Sequence, residues 1–183
     1  MNLPELQDSL PELIGILADR RTGKTSLATY LLYDAHLRGI KVVANYHLNF
    51  PFTYMSFADI VKLMSDKAVT ERRNELRGAY IGLDELSEGA DSYEFWQKPA
   101  KQLSKLASQL GKLEARIFYT DQRWNKVAKR LRDQTDIFIC LEKTGIKGVA
   151  TYTVIDRELR VLANGGFDGR SIWHLYDHQE FIS

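Results

Sequence analysis

Residues 17–26 read LADRRTGKTS, and the segments on either side decide what that stretch is. Upstream, LIGILA (13–18) is an apolar run long enough for a buried strand and too short for a helix. Downstream, TSLATYLLYDAHLRG carries apolar residues at 27, 28, 31, 32 and 35, a spacing near 3.6, and closes on Gly39 as a helix C-cap does. A turn between a buried strand and a helix start exposes several backbone N–H groups, which with the helix dipole form an anion site. Gly23 lets the backbone approach a phosphate, Lys24 reaches the β- and γ-phosphates, and Thr25 offers a hydroxyl to Mg²⁺. Asp19, Arg20, Arg21, Thr22 and Ser26 complete the expected nucleotide-binding stretch. The common pattern G-x-x-x-x-G-K-[ST] wants glycine where this chain has Ala18, a substitution that is tolerated if the position keeps φ negative. On this motif alone, a chance GKT at a helix start is the alternative.

Working outward, IKVVANY (40–46) is β-branched and apolar, so the opening reads strand, loop, helix, strand, with the loop at the strand's C-terminal edge. HLNFPFTYMSF is aromatic and irregular, and Ser56 stands in N-cap position before a short amphipathic helix. AYIGLDE (79–85) is a third buried strand ending in two acids. Residues 99–112 predict a helix with Leu103, Leu106, Ala107 and Leu110 on one face and Lys101, Lys105 and Lys112 off it. ARIFYTDQ (115–122) and DIFICLEK (136–143) are a fourth and a fifth strand. GVATYTVIDRELRVL alternates like an exposed strand or hairpin, and the tail IWHLYDHQEFIS is aromatic and irregular. Strands interleaved with helices predict a mostly parallel α/β sheet flanked by helices, with a C-terminal β extension. The whole is expected to be one domain: a lead-in over 1–12, a core over 13–143, and a hairpin and tail over 144–183.

The 183 residues are 44% hydrophobic and 27% charged, the composition of an ordinary globular protein. Net charge is only +1, but residues 97–132 hold ten Lys or Arg against two acids, a local +8 that leaves −7 for the rest. Cys140 is the only cysteine, so no intramolecular disulfide forms, and its run IFICL marks it as a packing residue. No apolar run approaches a membrane span and the N-terminus lacks signal-peptide order, so the expectation is a soluble protein of the cell interior.

Three strand tips carry the chemistry. Asp84 at the end of the third strand is placed to hold Mg²⁺ through its water shell, and the adjacent Glu85 to polarise the water that attacks a γ-phosphate. Gln122 ends the fourth strand beside Thr120 and Asp121, where a polar side chain can hydrogen-bond the γ-phosphate or the attacking water. In RWNKVAKRLRDQTD (123–136), Arg130 and Arg132, with Arg123 behind them, are candidates for a cation supplied to the γ-phosphate from a neighbouring subunit. The same segment with Trp124 also reads as a solvated basic helix, or as a track for a phosphate backbone.

LDE after an apolar strand, a strand ending in TDQ, then KRLRDQTDIFI and a tail containing LYDHQE together resemble the FtsK/HerA superfamily of P-loop ATPases. Within it the sequence is most similar to small viral genome-packaging ATPases, and also to zonula-occludens-toxin-like assembly ATPases of filamentous phages. The likeness spans roughly residues 14–178. It implies the additional-strand, catalytic-glutamate form of the P-loop NTPase fold, with the fourth strand inserted between the first and third. It also implies ATP and Mg²⁺, with Lys24 and Thr25 in Walker A roles, Asp84 on the metal, Glu85 as catalytic base and Gln122 as γ-phosphate sensor. Arg130 or Arg132 would act across the subunit interface, and the likeness does not choose between them.

The implied assembly is a ring of five or six subunits moving double-stranded DNA, with a capsid vertex or portal component as a further partner. The setting would be the host cytoplasm or the virion. The absence of a membrane segment favours the packaging branch; translocation for filamentous virion assembly or DNA transfer is the nearest alternative. A non-hydrolysing nucleotide switch, with Ala18 and the loop arginines as marks of lost turnover, is a third reading. Glu85 and Gln122 argue against it, because a pure binder has little use for a base and a sensor. Arg20 and Arg21 either face solvent or touch a neighbour's nucleotide or DNA.

Overall fold

The structure is a computed structural model and describes residues 11–85, 107–122, 124, 127 and 129–177. Expectations for residues 1–10, for most of the helix over 99–112, for Arg123 and for residues 178–183 lie outside the described residues. The chain forms β1 (Leu13–Leu17), α1 (Lys24–Leu37), β2 (Val42–Ala44), β3 (Thr53–Tyr54), α2 (Phe57–Leu63), α3 (Asp66–Val69) and β4 (Tyr80–Leu83). After a 3₁₀ turn (Ala107–Gln109) come α4 (Leu110–Leu113), β5 (Arg116–Asp121), α5 (Lys129–Arg132), β6 (Ile137–Lys143), β7 (Val149–Asp156) and β8 (Val161–Asp168). A 3₁₀ segment, Gly169–Leu175, follows.

These strands make one sheet in the order β3-β2-β4-β5-β1-β6-β7-β8. From β3 across to β6 every pairing is parallel, and β7 and β8 add an antiparallel hairpin at one side. The strand 115–122 therefore lies between the first and third strands of the sequence reading, the inserted position that the family likeness implies. Both faces of the parallel part are covered, which is why its strands read as unbroken apolar runs rather than alternating ones.

The two faces are separate cores. Ile14, Ile16, Phe118, Ile137 and Ile139 pack with Leu27, Leu31 and Leu32 of α1 and with Ile172 and Leu175 of the 3₁₀ segment. Leu13, Leu17, Ile117, Tyr119 and Phe138 pack on the opposite face with Ile60 of α2, Leu110 and Leu113 of α4, and Leu131 of α5. Ser56 caps α2 as its position suggested, its hydroxyl accepting the Asp59 N–H at 3.2 Å. Gly39, at φ +76, ends α1 as expected.

Gly15 sits mid-strand because of what lies over it. A Cβ there would be 2.8 Å from both Phe138 Cδ1 and the Tyr119 hydroxyl, and both rings are fully buried. Gly15→Ala is therefore expected to destabilise the fold by about 1–3 kcal/mol through overpacking. A lowered urea midpoint with an unchanged slope checks it, and an unshifted midpoint refutes it.

Three local expectations need correction. Val42–Ala44 and Tyr80–Leu83 are shorter than 40–46 and 79–85, because their last residues leave the ladder to form the site described below. Thr53–Tyr54, within the stretch expected to be irregular, pairs with β2, since a two-residue strand has too few positions to show alternation. The hairpin's second strand runs on through ANGGFD to Asp168; Gly165 and Gly166 obscure it in sequence. Gly165 is needed there, as a Cβ would fall 2.6 Å from the Tyr152 hydroxyl of the partner strand.

Candidate active site

The loop from Ala18 to Gly23 joins the C-terminal end of β1 to the start of α1. Ala18 is buried, its N–H donates to the Asp121 carbonyl at 3.3 Å, and it is not among the residues with positive φ. That is the condition under which alanine substitutes for glycine. The left-handed positions of the loop are Gly23 (φ 102) and Arg21 (φ 58). A side chain at φ 58 is mildly strained, so the loop's shape is imposed by its surroundings at Arg21.

Lys24 is buried and folds back into the loop, its ammonium donating to the carbonyls of Ala18 at 3.2 Å and Asp19 at 3.3 Å. The loop thus wraps a cation. Asp19, Arg20 and Arg21 are exposed on its outer side. Gly23 begins α1 with no side-chain cap and no acidic residue in the first turn, leaving the helix start to its own dipole. Thr22 is buried, and its hydroxyl has no hydrogen-bond partner among the described residues.

Asp84 is the centre of the polar network. Its carboxylate accepts from Thr25 Oγ1 at 2.9 Å and from Thr120 Oγ1 at 2.6 Å. Its N–H donates to Asn45 Oδ1 at 2.8 Å. Burial pushes the Asp84 carboxyl above the usual carboxylate range, although the hydrogen bonds from Thr120 and Thr25 and the charge of Lys24 pull the other way. Glu85 follows at φ 49, its N–H donating to Thr120 Oγ1 at 2.8 Å. Thr120 therefore braces both acids at once. Asp121 is buried and accepts the Gln122 N–H at 2.7 Å, which fixes the chain direction at that tip.

The residues singled out in sequence do not all gather at this edge. Lys24, Thr25 and Asp84 are brought together, with Glu85 and Gln122 on the adjoining strand tips. Ser26 is buried and does not join the Thr25–Asp84 pair; its hydroxyl lies 2.6 Å from that of Tyr176. Arg132 turns to Trp124, donating to its carbonyl at 3.2 Å with the guanidinium 5.5 Å from its ring. Arg130 is exposed and makes no ion pair or hydrogen bond with another described residue. Thr135 and Asp136 are structural: Thr135 is buried, bonding Tyr119 and the Leu131 carbonyl, and Asp136 accepts the Leu13 N–H at 3.0 Å.

Three residues in and beside the network were not singled out in the sequence. Asn45 follows an apolar strand, and nothing in its neighbours separates it from an ordinary strand-end residue. Thr120 is one of three consecutive polar residues at its strand's end, and nothing in the sequence sets it above Gln122. Tyr176 lies in the tail, too far along the chain for spacing to connect it with Ser26.

The donor set fits a magnesium-bound triphosphate. A hydroxyl and a carboxylate, Thr25 and Asp84, converge, a buried ammonium lies within the loop, and the buried Thr22 hydroxyl is unspent. Thr25 would ligate Mg²⁺ directly and Asp84 through its shell; the ion would neutralise phosphate charge.

No protein-family model matches the chain, and no curated protein does. Solved structures do. The N-terminal domain of zonular occludens toxin from Neisseria meningitidis aligns with a TM-score of 0.58 at 15% identity, over 91% of this chain and 99% of that one. The chain has the fold of a P-loop NTPase. A solved ATPase domain aligns at 0.55 and 11% identity, over 86% of this chain and 81% of that one. A DnaB-like replicative helicase, solved for its interactions with primase, aligns at 0.53 and 11% over 85% of this chain. The P-loop chain described here spans only about half of that helicase, 54% of its length. Among the described residues, no helix is long and apolar enough to cross a membrane.

Proposed function

We propose that the chain is a magnesium-dependent ATPase that works as a ring and couples hydrolysis to moving double-stranded DNA into a capsid. The observation that supports the hydrolytic part is the Thr25–Asp84–Thr120–Glu85 hydrogen-bond network beside a lysine wrapped by the loop. A binder without turnover has no need of the second acid. In this reading the loop amides and Lys24 hold the phosphates, Thr25 and Asp84 hold the metal, and Glu85 takes the proton from the attacking water. Gln122 would orient that water or contact the γ-phosphate.

The exposed Arg130 supports a site completed by a neighbour, since a charge in trans must be free to reach out, whereas Arg132 is already stacked on Trp124. Mixing inactive Arg130→Ala subunits with inactive Lys24→Ala subunits is expected to restore activity, because each mixed interface holds one complete site. No recovery in co-assembled mixtures would refute the role.

The likeness to the zonular occludens toxin domain, over nearly the whole of both, supports a second destination, filamentous virion assembly. Phosphate release with and without double-stranded DNA, run beside a mass measurement of the assembly, tests the proposal. A ring stimulated by duplex DNA is expected; stimulation by single strands alone favours the second reading. A monomer indifferent to DNA overturns both.

A further inference from the structure

Glu85 stands on an unusual piece of backbone. It follows β4 at φ 49, a left-handed conformation that residues other than glycine seldom adopt and that persists only where the surroundings impose it. The peptide joining Asp84 to Glu85 is gripped from both neighbouring strands. Its N–H, that of Glu85, donates to Thr120 Oγ1 at 2.8 Å on the β5 side. Its carbonyl, that of Asp84, accepts from Asn45 Nδ2 at 3.4 Å on the β2 side.

Asn45 holds Asp84 a second time. The parallel pairing of β2 with β4 runs one residue past Ala44, where the Asn45 N–H donates to the Gly82 carbonyl at 3.2 Å. A continued ladder would next carry the Asp84 N–H to the main-chain carbonyl of Asn45. The side-chain carbonyl takes that N–H instead, at 2.8 Å. One asparagine thus ends the ladder and secures Asp84 by both its N–H and its carbonyl, which lets β4 turn off the sheet at Glu85. An apolar side chain ending β2 could make neither bond.

Asn45 is itself fixed. The Ala44 carbonyl before it accepts the Met55 N–H at 3.0 Å, and the buried Tyr46 after it brings its hydroxyl to 3.3 Å from that of Thr29 in α1. The Asp84 carboxylate is held separately, by Thr25 and Thr120. The side-chain amide of Asn45 therefore works on the main chain of the acid pair, while other groups hold the metal-binding oxygens.

We infer that Asn45 is a positioning residue for the proposed base: from the end of β2 it keeps the Asp84–Glu85 peptide in the conformation that presents Glu85 to the attacking water. This rests on the reading of Glu85 as base and adds a residue that acts through it. The expected signature is a loss of rate without a loss of binding.

A double-mutant cycle tests it. Turnover, KM and Mg²⁺ dependence of the full chain are measured for wild type, Asn45→Ala, Glu85→Gln and the double variant, with Mg²⁺-ATP affinity by calorimetry. Asn45→Ala is expected to lower kcat about 10- to 100-fold, the scale for a displaced catalytic group, while KM, the Mg²⁺ midpoint and ATP affinity stay within about threefold. In the Glu85→Gln background the same substitution should cost less than about twofold more, because a base already absent cannot be misplaced. A merely structural asparagine would add its loss to that of Glu85→Gln. Additive losses, an unchanged kcat in Asn45→Ala, or ATP affinity lost together with rate each overturn the inference. Wild-type turnover in Glu85→Gln removes the base reading, and a wild type that hydrolyses no ATP removes the ATPase reading; either takes this inference with it.

Discussion

Lys24→Ala is expected to lower ATP turnover by about 10²–10³-fold, to the floor of a phosphate-release assay. The side chain has two roles that alanine cannot share. Its ammonium is the one cation enclosed by the loop among the described residues, donating to the carbonyls of Ala18 and Asp19, so it holds the loop in shape. The same charge is what would offset the triphosphate, in a buried setting where an ion pair is stronger than in water. Removing it leaves the Ala18 and Asp19 carbonyls without the donor they share and a phosphate with less to bind. Both ATP affinity and turnover should therefore fall. Hydrolysis at the wild-type rate in this variant would place the active site elsewhere on the molecule.

The loop and the strand tips were legible in sequence because their signals are local. A buried strand, a GKT and a 3.6-residue stripe are contiguous, and LDE and TDQ each end an apolar run. The sheet order was not local. Nothing in ARIFYTDQ says that it pairs with both β1 and β4; that position came from likeness to a family and is set physically by parallel pairing on both its edges.

The brace was hidden for a related reason. Thr120 acts through contacts 35 and 36 residues away in sequence, and a threonine before an aspartate at a strand end looks like any polar terminus. Arg21 shows the reverse case. Its charge is what the sequence displays, whereas its left-handed backbone is the less ordinary property, and φ cannot be read from an arginine. The T-D of RLRDQTD is a third kind of miss. In sequence it belongs to a functional phrase, yet Thr135 and Asp136 lock the start of β6 to Tyr119 and Leu13, a structural task. A motif can combine catalytic and architectural residues without marking which is which.

Glu85→Gln is expected to keep ATP bound while turnover falls about 10²–10⁴-fold, the range for losing a general base. The amide matches the carboxylate in size and still hydrogen-bonds, but it cannot take a proton. The backbone at Glu85 is held in place from outside the side chain, by the Thr120 hydroxyl on its N–H, so glutamine should occupy the same position. Asp84, Thr25 and Lys24 remain intact, so affinity for Mg²⁺-ATP should stay within about threefold. Thr120→Val is the informative companion. It removes the 2.6 Å bond to Asp84 together with the support of Glu85, so it should weaken both the magnesium dependence and the turnover. A base lost alone leaves the Mg²⁺ titration unmoved; a brace lost shifts it. If Glu85→Gln turns over at the wild-type rate, the proton goes elsewhere, and Gln122 with the buried Asp121 beside it becomes the next group to vary.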